Sequence, residues 1–452
     1  MILKIIKFFW PDLSDQEAYK YGLLSLAFFF TVGSYWLLKT LKDGVFFNIV
    51  GGEYQPKAKM FSVVVISCLV IIYSKLVDIF KRHKLFYIIG SIYAFFFAIM
   101  AFLIGFTVSS DGIINERFMR VTGWTLYFLV ESYGSLIVVL FWSFVASISD
   151  TFSAKRGYAL IMVGAQLGAV IGPFLSWYAS ILGLRFLFLI ATFGIICLML
   201  VIKYFVRVIP REQKLVEETK KNVPVIKKTK TGFWEGLKLL ATQPYLFGIF
   251  MIVSLYEIVT TIVDYQMKMQ AQALPEYSSK EALTSFMGIF GMSTNGLAFF
   301  MALLGTGYLI KKFGVRKCLL IFPVCLGFAI LMLYFVITSG SVSTHKLLWL
   351  TLSVMIIAKG LSYSLNNPVK EILYIPTSKD AKFKTKGWID AFGARSSKAM
   401  GSAFTNMIKH SPKALLHYGT ILSLGFIGIW FLIAVVIGRK CHQLTKDGKI
   451  IG

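Results

Sequence analysis

Charged side chains interrupt several long apolar stretches of this chain, and these charges are where chemistry is expected. Glu131 opens one such stretch, which runs to Phe174 and is otherwise apolar enough to lie inside a bilayer. A charged side chain at the centre of a bilayer costs about 2.5–3.5 kcal/mol on insertion scales. The Glu131 carboxylate is therefore expected to face a polar cavity or a partner charge.

Small residues follow Glu131 at close spacing. They are Gly164, Ala165, Gly168, Ala169 and Gly172. Residues of this size let a second helix approach closely in a membrane. A buried carboxylate beside closely packed helices indicates the core of a transporter.

The composition defines the class of protein. The chain has 452 residues, of which 57% are hydrophobic and 15% charged, and its mean hydropathy is +0.71. Stretches of about 20 apolar residues can span a bilayer as helices, and the sequence contains twelve of them. The predicted fold is an all-α polytopic membrane protein with 12 transmembrane helices, at residues 21–41, 61–80, 85–107, 122–147, 158–181, 185–206, 243–264, 285–310, 318–338, 346–365, 388–408 and 415–438.

The basic residues predict the topology. The formal net charge is +25, and 32 of the 47 Lys and Arg lie in alternate loops and at the two ends of the chain. Positive charge accumulates on the cytoplasmic side of membrane proteins. We therefore expect both termini to be cytoplasmic, in a bacterial inner membrane, with the bilayer and not a nucleic acid as the partner of the basic loops.

A basic turn recurs in the two halves of the chain. KLVDIFKRHKLFYIIG at 75–90 and YLIKKFGVRKCLLIF at 308–322 follow the second and the eighth predicted spans. This recurrence predicts a 6+6 arrangement like that of major-facilitator folds. The expected domains are an N-terminal six-helix bundle at 1–206, a cytoplasmic basic linker at 207–242 and a C-terminal six-helix bundle at 243–452.

Four stretches in order resemble the nucleotide transporter family, the non-mitochondrial ATP/ADP translocases of intracellular bacteria and plastids. They are LKTLKDGVFFNIVGGEYQPK at 38–57, ESYGSLIVVLFWSF with AKRGYALIMVGAQLGAVIG at 131–172, YEIVTTIVDYQMK at 256–268, and KGLSYSLNNPVKEILYIP through KTKGWIDAFGARSSKAMGS at 359–402. The resemblance implies counter-exchange of ATP and ADP by alternating access. It implies no enzymatic activity and no cofactor, and the sequence has no GxxxxGK[ST] phosphate loop. We expect a monomer.

A nucleotide carries three or four negative charges, so its site needs fixed cations. In the first half we predict substrate contacts at Lys42 and Glu131, with Lys39 as a weaker candidate. Lysines at helix ends also extend to the membrane interface without binding anything, and that alternative stays open for both lysines. Asp264 matches the family's carboxylate near the end of the seventh span, and Glu257 lies about two turns earlier.

The second half supplies further candidate cations. Lys370 follows Pro368, where we expect the tenth span to break or end. Arg395 and Lys398 lie three residues apart, on one face of the eleventh span if that span is helical. Lys386 is a weaker candidate, and Tyr35 and Trp142 are candidates for stacking on the base.

Two other functions remain open at this point. One is a proton-coupled net importer of nucleotides or NAD on the same scaffold, with Glu131 or Asp264 titrating. The other is a membrane scaffold without transport activity, although such a protein would not need to keep charges within its spans.

Overall fold

The structure is a computed structural model that describes residues 2–11, 13–105, 116–149, 151–209, 233–340 and 342–451, and nearly all of them are helical. Ten helical stretches in this part of the chain are long and apolar enough to cross a membrane. The predicted all-α polytopic membrane class is confirmed. Eleven predicted spans fall on these ten stretches, whereas 388–408 is not among them.

The first stretch contains two predicted spans, so that eleven predicted spans fall on ten stretches. Asp15–Val77 has 63 residues, and at about 1.5 Å per residue it is roughly three times as long as a hydrocarbon core of about 30 Å. A π-turn at Phe47–Gly51 and a 3₁₀ turn at Gly52–Tyr54 divide it into two helices. These two helices correspond to the first two predicted spans.

The described residues group into two compact units. The first unit lies within Met1–Gly51, Val64–Ile226 and Ser279–Met292, and the second within Gly52–Val63, Lys227–Ser278 and Ser293–Gly452. The predicted linker lies partly outside the described residues, at 210–232. Its last ten residues, Phe233–Thr242, form a helix.

In the part of the chain that the structure describes, eight helices precede residue 210. They are α1 Ile2–Phe9, α2 Asp15–Phe46, α3 Gln55–Ile79, α4 Arg82–Gly105, α5 Glu116–Ile148, α6 Thr151–Trp177, α7 Ala179–Leu182 and α8 Leu184–Val208. Nine more lie within 233–451: α9 Phe233–Thr242, α10 Pro244–Gln272, α11 Lys280–Leu304, α12 Thr306–Ser339, α13 Thr344–Leu361, α14 Asn367–Leu373, α15 Lys379–Trp388, α16 Ala394–Ile408 and α17 Pro412–Asp447.

The same helix pairings recur in the two units. In the first unit α2 packs on α5, α6 and α8, and α4 packs on α5 and α8. In the second unit α10 packs on α13, α16 and α17, and α12 packs on α13 and α17. Each of α2, α4, α5, α6 and α8 therefore has a counterpart in α10, α12, α13, α16 and α17.

One hydrogen bond to a helix-end carbonyl in the first unit has a counterpart in the second unit. Lys20 Nζ donates to the carbonyl of Ile148, the last residue of α5, at 2.6 Å. Tyr245 Oη donates to the carbonyl of Leu373, the last residue of α14, at 2.7 Å. Tyr245 and Leu373 each lie 225 positions after Lys20 and Ile148. Each bond satisfies a helix carbonyl that the helix itself leaves unpaired.

The small residues of α6 contact α2, as their spacing predicted. A side-chain carbon on Gly168 would meet the carbonyl of Phe29 and the amide nitrogen of Gly33. One on Gly164 would meet the carbonyl of Ser25. The expectation that these glycines let a second helix pack closely is confirmed, and the second helix is α2.

Pro368 does not end a helix, contrary to expectation. A π-turn at Ser362–Asn366 joins α13 to α14, and Pro368 is an early residue of α14. Proline is tolerated in the first turn of a helix, where its missing N–H has no helical partner in any case. A second π-turn, Ile389–Gly393, similarly joins α15 to α16.

Candidate functional site

A partly buried ion pair links α2 to α5 in the first unit. Lys42 Nζ donates to Glu131 Oε1 at 2.6 Å and lies 3.3 Å from Asp43 Oδ1. The Lys42 side chain is 4% exposed, so it does not extend to the membrane interface, whereas the Glu131 side chain is 30% exposed. The Lys42 ammonium also lies 4.3 Å from the centre of the Tyr127 ring. One cation thus contacts two carboxylates and an aromatic face.

The other candidates of the first unit lie against aromatic rings or small residues. Lys39 Nζ is 3.9 Å from the centre of the Trp36 ring. The Tyr35 ring packs where a side chain on Gly134 would otherwise lie. Trp142 packs at an angle to Phe28, Phe141 and Tyr158 at centroid distances of 5.3, 5.8 and 5.5 Å. These surroundings suit helix packing, and a role of Tyr35 or Trp142 in base stacking stays a prediction.

Asp264 is the centre of a second charge cluster, in the second unit. Its Oδ2 atom accepts from Lys59 Nζ at 2.8 Å and from Lys268 Nζ at 3.0 Å. The side chains of Asp264 and Lys268 are 14% and 6% exposed. Lys268 follows Asp264 by one turn of α10, whereas Lys59 lies on the first turns of α3, 205 positions earlier. One carboxylate therefore holds two ammonium groups.

Glu257 is the centre of a third cluster, also in the second unit. Lys398 Nζ of α16 lies 3.7 Å from Glu257 Oε2, and Lys359 and Lys370 add attractive charge to the same carboxylate. The ring of the preceding residue, Tyr256, has Lys359 Nζ at 5.1 Å and Lys370 Nζ at 6.0 Å from its centre. The structure thus brings the predicted residues Glu257, Lys370 and Lys398 together.

Two further predicted residues occupy other positions. Lys386 Nζ of α15 lies 2.7 Å from Glu371 Oε1 of α14, in a half-exposed ion pair. Arg395 lies in the first turn of α16, directly after the second π-turn, and is half-buried. Both it and Lys398 lie on that helix. The span predicted at 388–408 therefore consists of the last residue of α15, the second π-turn and α16.

Sequence reasoning missed three lysines of these clusters, Lys59, Lys268 and Lys359. Lys359 gave a signal, since it is a charge within the tenth predicted span. Lys268 lies one turn after Asp264, at a spacing that brings side chains together on a helix. Lys59 precedes its span and gave no signal, because only tertiary structure brings it to a carboxylate 205 positions away.

A cavity of about 360 Å³ lies elsewhere in the second unit. It is bounded by α12, α17 and the end of α14, and its polar lining includes Arg316, Lys317 and His442. None of the predicted site residues lines it. The predicted residues Lys42, Glu131, Glu257, Asp264, Lys370 and Lys398 lie in the charge clusters and not around this cavity.

Sequence comparisons identify proteins that are similar to this chain. The pattern of the TLC ATP/ADP transporter family matches residues 1–441. The chain is 28% identical to ADP,ATP carrier protein 1 of Rickettsia prowazekii, over 98% of this chain and 96% of that protein. It is 27% identical to ADP,ATP carrier protein 1 of Chlamydia muridarum, over 96% and 91%. With the chloroplastic ADP,ATP carrier protein 2 of Arabidopsis thaliana it shares 26% identity, over 94% and 75%.

Solved structures agree in fold. A mutant of the nucleoside transporter NupG superposes with a TM-score of 0.60 at 13% identity, covering 92% of this chain and 98% of that one. A bacterial homologue of the iron transporter ferroportin in an inward-facing state gives 0.63 at 12%, covering 93% and 98%. The described helices therefore adopt a fold found in solved membrane transporters.

Proposed function

Because the chain belongs to the TLC ATP/ADP transporter family, we propose that it exchanges ATP for ADP across a membrane by alternating access. ATP enters and ADP leaves, and no nucleotide is hydrolysed. The observation that carries the proposal is the partly buried Lys42–Glu131 pair. A substrate anion that takes the place of Glu131 would keep the buried Lys42 ammonium paired. A purely structural pair is often no more stable than apolar side chains of the same size.

Lys42 binds substrate phosphate in the first unit. Its ammonium is held by Glu131 and Asp43. Phosphate oxygens form strong charge-assisted hydrogen bonds with lysine, so substrate displaces Glu131 from Lys42. Binding then releases a link between α2 and α5 and couples substrate occupancy to movement of the two helices.

The second unit binds substrate through Lys370, Arg395 and Lys398. Asp264 acts as the counter-charge that changes partner, because two lysines already compete for its Oδ2 atom. A protein that only scaffolds a membrane complex gains nothing from such clusters within apolar helices. Lys39, Glu257, Lys386, Tyr35 and Trp142 are secondary candidates.

The repeated helix pairings support twelve spans in a 6+6 arrangement, with domains at 1–206 and 243–452 and a linker at 207–242. The stretch 388–408 is the additional span, and its cations are stabilised by substrate and by Glu257. We assign the protein to a bacterial inner membrane as a monomer with both termini in the cytoplasm. The distribution of its basic residues supports this orientation.

Uptake of labelled ATP by bacterial cells that express the chain tests the proposal. After uptake, the cells are chased with unlabelled ADP, GTP, NAD or buffer. Release of label only with ATP or ADP outside supports adenylate exchange. Uptake that ignores the chase and collapses with a protonophore would replace exchange by proton-coupled net import, and a lack of saturable nucleotide binding would favour a scaffold.

A further inference from the structure

We propose that Lys359, Lys370 and Lys398 form a phosphate subsite in the second unit, and that Glu257 occupies it when the substrate is absent. The inference rests on the proposed function and names the part of the substrate, the polyphosphate chain, that this cluster binds. It adds Lys359 as a substrate-binding residue and gives Glu257 the role of an internal substitute for phosphate.

The cluster is built from four helices. Glu257 and Tyr256 come from α10, Lys359 from α13, Lys370 from α14 and Lys398 from α16. Lys359 Nζ donates to Thr260 Oγ1 at 3.3 Å, one turn after Tyr256 on α10. Both Lys359 and Lys370 lie over the Tyr256 ring. An anion bound there would contact all four helices at once.

Charge balance indicates an anionic ligand. Lys359, Lys370 and the half-exposed Lys398 act on the Glu257 carboxylate, and Asp390 adds a second carboxylate that acts on Lys370. Three ammonium groups against these two carboxylates leave an excess of one positive charge. Asp264, two turns later on α10, cannot offset it, because its Oδ2 atom already accepts from Lys59 and Lys268. Glu371 acts on Lys370 but also accepts from Lys386 at 2.7 Å. Clustered cations among apolar helices are costly unless an anion compensates.

The hydrogen bonds also leave capacity for a ligand. A lysine ammonium has three donors, and Lys359 uses one of them on the neutral Thr260 hydroxyl. Glu257 Oε2 is buried and has no hydrogen-bond partner among the described residues, and Lys398 lies 3.7 Å away, beyond a normal hydrogen bond. A phosphate group has more acceptor atoms than a carboxylate and can bond several lysines together.

Binding of inorganic tripolyphosphate, ATP, ADP and AMP to the purified full-length protein in lipid nanodiscs tests the subsite. We expect the wild-type chain to bind tripolyphosphate in competition with ATP, and to bind ATP more tightly than AMP. K359Q should lose about tenfold to a hundredfold in affinity for ATP and tripolyphosphate, the range expected for a charged hydrogen bond. It should lose much less for AMP.

The matched control is K346Q, an equivalent substitution of an exposed lysine on the same helix. It should bind both ligands as the wild type does. Thermal unfolding of every variant reports whether it folds.

The double variant E257Q/K359Q separates phosphate binding from simple neutralisation of Glu257. If Lys359 binds phosphate, the double variant keeps most of the loss, because the phosphate contact is still missing. Full recovery of ATP affinity in the double variant, or wild-type affinity in K359Q, would overturn the proposal.

The two proposals fail in different ways. A wild-type chain that exchanges nucleotides while K359Q binds tripolyphosphate unchanged excludes the subsite and keeps the exchanger. A wild-type chain that binds tripolyphosphate through Lys359 without exchanging nucleotides keeps the subsite and excludes the exchanger. If the wild-type chain exchanges nucleotides but binds no tripolyphosphate, a subsite that binds the phosphate chain without the rest of the nucleotide is also excluded.

Discussion

The two units share their helix pairings but not their charges. In the first unit, Lys42 lies between the carboxylates of Asp43 and Glu131. In the second unit the proportions are reversed, since Asp264 holds two lysines and Glu257 faces three. The same scaffold thus holds a charge cluster with an excess of carboxylate in one unit and charge clusters with an excess of ammonium in the other.

The two units also differ in whether corresponding helices are interrupted. α5 and α6 of the first unit run for 33 and 27 residues without a π-turn. In the second unit, a π-turn at Ser362–Asn366 follows α13 directly, and another at Ile389–Gly393 directly precedes α16. The comparison indicates that packing is set by a repeated scaffold, whereas ligand chemistry is set locally in each unit.

The strongest test of the difference is charge reversal in the first unit. E131K places a second cation beside Lys42 and should lower exchange at least about a hundredfold, because an unpaired buried charge costs ~3–5 kcal/mol. Folding should survive, since Asp43 still lies 3.3 Å from Lys42. ATP exchange in proteoliposomes and thermal unfolding measure the two effects.

The control is the swapped pair K42E/E131K, which restores opposite charges. It should fold but not exchange, because the phosphate-binding ammonium has moved. Wild-type exchange by E131K would remove Glu131 from the mechanism.

The second test compares neutralisation of one carboxylate in each unit. D264N should destabilise the protein by about 3–5 kcal/mol, since both Lys59 and Lys268 lose an ion pair with Asp264. E131Q should cost less, because Lys42 keeps Asp43. Thermal unfolding in detergent gives the ranking, and D264E is the control that keeps the charge. Equal losses in D264N and E131Q would contradict the proposed asymmetry.

The third test concerns helix contact. G168A should cost about 1–3 kcal/mol by overpacking, since the added carbon would lie 2.9 Å from the Gly33 amide nitrogen. G401A in the second unit should cost less, because its nearest atom, the Ile258 carbonyl oxygen, is 3.0 Å away and the next is a side-chain carbon of Thr261. Unfolding free energies measure both.

G428A on α17 is the control, because it has open space. It should be neutral or stabilising, since alanine is a better helix former than glycine. A loss in G428A equal to that in G168A would exclude the packing explanation.

The last test concerns the repeated helix ends, where the smallest loss is expected for Y245F. K20M removes a charged donor from the Ile148 carbonyl and should cost about 1.5–3 kcal/mol, whereas Y245F removes a neutral donor from Leu373 and should cost about 0.5–1.5 kcal/mol. Unfolding of the purified variants in detergent measures the order. A larger loss in Y245F than in K20M would contradict the expectation that the charged donor contributes more to stability.

The sequence predicted the membrane class, the family and eleven spans that fall on the ten apolar helical stretches of the described residues. Apolar stretches of about 20 residues depend on the bilayer alone, so they can be read locally. The family was predicted from four motifs in order, and the match over residues 1–441 confirms it. The close contact of α6 with a second helix followed from residue size.

Other features depend on tertiary structure. Lys59 reaches Asp264 across 205 positions, and no local pattern marks it. The continuation of the helix through Pro368 was not expected, because a proline within a span usually breaks it. The π-turn before Pro368 was not expected either, since a π-turn has no simple sequence signature. Lys386 matched a family motif but lies in an ion pair with Glu371. Single charges can be located from sequence, but their partners cannot.

The π-turns of the second unit make the position of its cations depend on chain length. A π-turn contains one residue more than an α-helical turn, and one residue corresponds to about 100° of rotation around a helix axis. Lys370 follows one such turn, and Arg395 and Lys398 follow the other. The loss of one residue from the first turn would rotate Lys370 relative to Glu257, and a loss from the second would rotate Lys398, without substitution of either lysine. Insertion and deletion, as well as substitution, could thus have altered what this unit binds.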